Sequence, residues 1–133
     1  MEHRTILAQM AAQWSEAAHN WDAAKLARLY TADAVLFGGR PEHSVGGPAI
    51  RAYFASYDGV ILAGSLALEQ QEILSIDAQS FLAQGYGVFS FTLAGGKQTT
   101  SRMRTTWLLV RDVDWRIRTH HFSPLPAAPP LGD

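Results

Sequence analysis

The sequence predicts one α+β domain in which three N-terminal helices pack on a curved, mainly antiparallel sheet. Three observations carry this reading. Apolar residues recur at helical spacing through the first half of the chain, as far as Tyr57. From Leu66 to Phe122 the spacing changes to period two, in consecutive runs separated by short turns. No internal repeat or linker interrupts the 133 residues, so both halves share one core.

Each element has a local reason. Leu7, Met10, Ala11, Trp14, Ala18 and Trp21 make one amphipathic stripe, which predicts a helix over about residues 3–19. Asn20 or Asp22 caps a second, shorter helix whose apolar face is Ala23, Leu26, Ala27 and Tyr30. Ala34 to Phe37 reads as a short strand ended by Gly38-Gly39, and the glycines and Pro41 that follow read as a loop. Pro48 opens a third helix, where its missing N–H costs nothing, and Ile50, Tyr53, Phe54 and Tyr57 form its stripe. Asp58-Gly59 stops it. One strand then carries Leu66, Leu68, Leu74 and Ile76 on one parity, and Asp77 to Ser80 turns the chain. Strands over about 81–93, 98–111 and 115–122 follow, joined at Gly95-Gly96 and at Asp112 to Asp114. Residues 1–122 are read as the domain, and the proline-rich residues 123–133 as an extended or disordered tail.

Composition narrows the function classes. A net charge of −1 gives no basic footprint for nucleic acid or anionic membrane. The absence of cysteine removes disulfides, thiolate catalysis and thiolate metal sites. No apolar run approaches membrane-spanning length, and the N-terminus lacks a signal-peptide core. A cytoplasmic protein without a cofactor is the expectation.

The closing segment Trp115-Arg-Ile-Arg-Thr-His-His-Phe-Ser-Pro-Leu-Pro126 is not a pattern that strand packing alone demands. It resembles the last strand of the SnoaL-like relatives of nuclear transport factor 2, in the branch near the calcium/calmodulin-dependent protein kinase II association domain. Leu29 to Gly38 (LYTADAVLFG) and Gly46 to Phe54 (GGPAIRAYF) support the same resemblance in order and spacing. It implies a cone-shaped fold with a deep cavity, and homodimers formed through the outer sheet face. It implies no single chemistry.

The cavity expected from this resemblance draws on Trp14, Tyr30, Phe37, Tyr53, Phe54, Tyr57, Trp107 and Phe122, as a largely apolar small-molecule site would. Arg102 and Arg104, two apart in one strand, share a face. On a concave face they would require an anionic ligand such as a carboxylate; on the outer face they are solvated or meet a second subunit. His120 and His121 pose a question of parity. Trp115, Ile117 and Thr119 align with His121 and make it the inward histidine, whereas comparison with ketosteroid isomerase, a distant relative, selects His120. A bulge in the strand reconciles the two.

Catalysis has weaker support. The position where ketosteroid isomerase carries its base falls on Gly38. Glu72 shares parity with Leu68 and Leu74 and is the inward carboxylate by that rule, so Glu72 and His121 are the acid–base candidates. Asp33 reads as a turn residue, and Asp58 would matter only if it approached His121. Adjacent strand histidines diverge, so no metal site is expected. The preferred reading is small-molecule binding, with an anionic or polar aromatic ligand. The alternative is a cofactor-independent isomerase, cyclase or dehydratase acting on a polyketide-like or carbonyl compound.

Overall fold

The computed structural model describes residues 2–132. Three helices, α1 (His3–Ala18), α2 (Ala23–Ala27) and α3 (Gly47–Ala55), precede and interrupt six strands. The strands are β1 (Tyr30–Phe37), β2 (Ser44–Val45), β3 (Ile61–Asp77), β4 (Ser80–Leu93), β5 (Gln98–Arg111) and β6 (Trp115–Pro124). They form one open sheet in the order β2-β1-β6-β5-β4-β3, antiparallel except where β1 lies parallel to β6. The sheet curls around the helices, which cover its concave face.

Local chemistry explains most boundaries. The Asp22 carboxylate accepts the Lys25 backbone N–H at 3.0 Å and caps α2. Pro48 sits in the first turn of α3, after Gly46 at φ 89°. Two predicted boundaries differ. Tyr30 opens β1 rather than closing α2, because that helix stops at Ala27. The final strand runs to Pro124, two residues beyond the expected end of the domain at residue 122, since Met103 of β5 still pairs with Pro124. The two-residue strand β2 lies inside the segment read as loop.

Two bulges set which side chains face the helices. In β3, Glu69 pairs with Tyr86 and Glu72 with Gln84, so Gln70 and Gln71 together oppose Gly85. Gln70 adopts φ 49°, and a Cβ on Gly85 would lie 2.5 Å from the Gln70 carbonyl oxygen, so only glycine fits beneath the bulge. In β6, Ile117 pairs with Leu109 and Thr119 with Leu108, leaving Arg118 as the extra residue. Each extra residue reverses the alternation downstream. Leu74 and Ile76 therefore face outward, 64% and 57% exposed, although they share parity with the buried Leu66.

Candidate functional site

On β4 the inward positions are Phe81, Ala83, Gly85, Gly87, Phe89 and Phe91, with aromatics at both ends and small residues between. Phe89 and Phe91, with Trp14 and Trp21 from the first helical region, Tyr53 and Phe54 from α3, and Phe122 from β6, surround a cavity of about 300 Å³. The rings meet mostly edge to face. Trp21 meets Trp14, Phe54, Tyr57 and Phe91 at centroid distances of 6.4, 6.0, 5.9 and 6.0 Å, and Trp14 in turn meets Phe54 and Phe89 at 6.4 and 5.7 Å.

The polar groups on this lining are few and uncharged. They include the hydroxyls of Tyr53, Tyr57, Thr99 and Ser101 and the backbone at Gly39. Tyr53 is anchored by accepting the Gly39 N–H at 2.8 Å, and burial raises its hydroxyl pKa, which keeps it neutral. Gly38 and Gly39 leave room for the tyrosine edges: a Cβ on either would lie under 3.0 Å from the hydroxyl of Tyr53 or Tyr57. Among the described residues no Asp, Glu, Lys, Arg or His side chain lines the cavity; the Arg40 guanidinium lies 4.2 Å over the ring of Tyr57.

Beneath it lies a buried chain of hydrogen bonds. Trp14 Nε1–H donates to the Tyr30 hydroxyl at 3.2 Å, and that hydroxyl lies 2.7 Å from His120 Nδ1. Indole can only donate, so it occupies one lone pair of the tyrosine oxygen; the direction of the Tyr30–His120 bond is set by the imidazole tautomer. The tautomer with its proton on Nε2 lets the hydroxyl donate to Nδ1. Burial, with a smaller contribution from neighbouring His121, lowers the His120 pKa to about 3, and burial raises that of Tyr30. Both rings are neutral at physiological pH. Among the described residues His120 Nε2 and Trp107 Nε1 have no hydrogen-bond partner, and Trp107 and His120 are paired residues of adjacent strands.

The predicted site residues therefore fall into three places. Trp14, Tyr53, Phe54 and Tyr57 line the cavity. Tyr30, Trp107 and His120 lie behind its wall, 3%, 2% and 1% exposed. Phe37, Glu72, Arg102, Arg104 and His121 point away from it, all exposed. His121 is corrected by the bulge at Arg118, which gives the inward position to His120. Glu72 is corrected by the bulge at Gln70. Phe37 alternates outward after buried Leu36 and stacks on His43 at 4.0 Å.

The arginines occupy the solvent alternative. Arg102 pairs with Glu69 at 3.0 Å and lies 3.8 Å over the Tyr86 ring. Arg104, His121 and Glu72 do come together, but in a cleft on the outer sheet face with Gln84, Tyr86 and Ser123. Asp33 is held by Thr31 and Arg118, which lower its carboxyl pKa, and Asp58 is exposed. Sequence reasoning passed over Trp21, Phe89, Phe91 and Met103 as lining residues. For the two phenylalanines a signal was present, since they share parity with Phe81.

Comparison with known proteins agrees with this architecture. The family model for the SnoaL-like domain matches residues 7–128. Comparison with functionally curated proteins returns no match. Among solved structures, one provisionally described as a calcium/calmodulin-dependent protein kinase II association domain, from Xanthomonas campestris, superposes with a TM-score of 0.85 at 25% identity, covering 96% of this chain and 91% of that one. A nuclear transport factor 2-like superfamily protein from Salmonella enterica gives 0.78 at 15%, over 98% and 96%. A protein provisionally described as an aromatic ring hydroxylase, from Novosphingobium aromaticivorans, gives 0.79 at 16%, over 92% and 89%. The last two matches speak to the fold alone.

Proposed function

We propose that this chain, which belongs to the SnoaL-like domain family, binds a neutral, largely aromatic small molecule in its cone. The observation that carries the reading is the lining itself: indole, phenol and phenyl rings around about 300 Å³, with no ionised side chain among them. The anionic preference expected from Arg102 and Arg104 loses its support, because both arginines stand on the opposite face. Acid–base catalysis loses support for a similar reason. Glu72 and His121 are outside, and His120 is too weak a base at a pKa of about 3 to remove a proton effectively.

Thermal unfolding of the purified protein with 2-ethylnaphthalene and with 2-naphthoate tests this. The neutral compound at about 100 times its dissociation constant should stabilise the fold by roughly 2.7 kcal/mol, and the carboxylate should leave it unchanged. Stabilisation by naphthoate instead would refute the reading.

The outer sheet face suits a second copy of the chain. Leu108, Leu82 and Leu74 form an apolar row across β5, β4 and β3, which continues through Thr119 of β6 to Val35 of β1, beside the polar row His121, Thr106, Gln84 and Glu72. Sedimentation at micromolar concentration should report twice the 14.6 kDa chain mass, and a single-chain mass would dismiss the dimer.

A further inference from the structure

One residue of the cavity lining holds a backbone conformation that its side chain disfavours. Helix α1 ends with the Asp22 N–H bonded to the Ala17 carbonyl at 3.0 Å and the Trp21 N–H bonded to the Ala18 carbonyl at 2.9 Å. This is the Schellman pattern of helix termination, and its left-handed position falls on Trp21, at φ 46°. Glycine is the usual occupant, because a Cβ is strained there and a bulky side chain makes the conformation rare. Such strain persists only where the surroundings hold it, and it points to a demand on the side chain. Here the indole N–H donates to the Phe54 carbonyl of α3 at 3.0 Å, and the ring lines the cavity.

The neighbouring rings all stand across the plane of this indole. Trp14, Phe54, Tyr57 and Phe91 meet it at interplanar angles of 76°, 65°, 88° and 81°, so among the described residues no aromatic ring is stacked on it. Other lining rings are already engaged. Arg40 lies over Tyr57, Phe89 and Phe91 are within 24° of parallel, Phe122 tilts against Phe89 at 4.8 Å, and Tyr53 packs on Gly38. We infer that Trp21 is the specificity-determining residue of the cone, and that the ligand is a planar fused-ring aromatic stacked on its indole. The inference rests on the cavity reading and narrows its ligand from aromatic compounds in general to flat ones. Offset stacking adds to the attraction that burial alone supplies, and a puckered saturated ring of the same size forgoes it. The bond to Phe54 fixes the indole beforehand, so little side-chain freedom is lost when the ligand enters.

The test compares 2-ethylnaphthalene with 2-ethyldecalin, which has the same carbon skeleton with saturated, puckered rings. Dissociation constants are measured by calorimetry in the wild type, Trp21→Leu and Trp21→Phe. Comparing the ratio of the two affinities between proteins cancels the compounds' different transfer from water. From wild type to Trp21→Leu the ratio should shift about fivefold against the flat compound, as the loss of one stacked pair allows. Trp21→Phe keeps a flat ring and should retain most of the preference. A residue that merely walls the cavity would weaken both compounds alike. The wild-type protein supplies a readout that needs no variant to fold: by ¹⁵N NMR, the ring current of bound 2-ethylnaphthalene should move the Trp21 indole N–H resonance upfield, and 2-ethyldecalin should not. An unchanged ratio, or an indole resonance that responds equally to both compounds, would overturn the stacking inference and leave the cavity reading intact. Failure of both compounds to bind the wild type would overturn the cavity reading and this inference with it.

Discussion

The two faces of the long sheet are made by the same strands and differ in almost every physical respect. The inner face carries Phe81, Ala83, Phe89, Thr105, Trp107, Leu109 and Ile117, all buried, and its polar contacts are bonds between neutral groups such as Tyr30 and His120. The outer face carries Glu69, Glu72, Arg102, Arg104 and His121, all exposed, around an apolar row. Alternation along a strand is enough to separate them, because burying a charge costs far more than burying a neutral hydrogen-bonded group. What the contrast teaches is that a polar residue's role here depends on its face before its chemistry. Arg104 and His121 have the chemistry for an anion site, yet they stand across the sheet from the cavity.

The contrast can be attacked from its strongest side first. Phe81 is fully buried, and Phe81→Ala should cost about 3–5 kcal/mol in urea unfolding; a loss below about 1 kcal/mol would mean the inner face is not the stabilising one. Next comes His120. Its folded pKa of about 3 is below the unfolded 6.5, so the unfolded chain binds the extra proton between those values. Stability from this group is complete above pH 6.5 and declines as pH falls toward 3, by about 1.4 kcal/mol per pH unit. His120→Gln, which cannot titrate, should flatten the stability profile between pH 6.5 and 5; an unchanged slope would show that the imidazole is not buried as a neutral group. The smallest effect belongs to the outer face. The Arg102–Glu69 pair is half exposed, and Arg102→Ala should cost under about 1 kcal/mol, shrinking in high salt. A loss as large as that of Phe81→Ala would erase the distinction between faces.

Much of this organisation was legible in the residues. The stripes on α1 and α3, a cap for α2 at Asn20 or Asp22, Pro48 at a helix start and the turns at Gly95-Gly96 and Asp112 to Asp114 are local features legible in the sequence; the structure selects Asp22 as the cap. Parity was legible too, but only between irregularities of the ladder. Leu66 and Leu68 follow it; Glu72, Leu74 and Ile76 do not, because Gln70 adds a residue opposite Gly85. The same failure recurs at Arg118, where one extra residue exchanges His120 for His121. Gly85 hints at the first bulge, yet a strand glycine has several causes.

The sequence by itself determined the fold class, the order of the elements, the aromatic content of the interior and the fact that Arg102 and Arg104 share a side. It did not determine which side. That choice, and with it the neutral lining of the cavity and the pairing of Trp107 with His120, was made by strand register across the sheet. Register depends on contacts between residues far apart in the chain, and a single inserted residue reverses it.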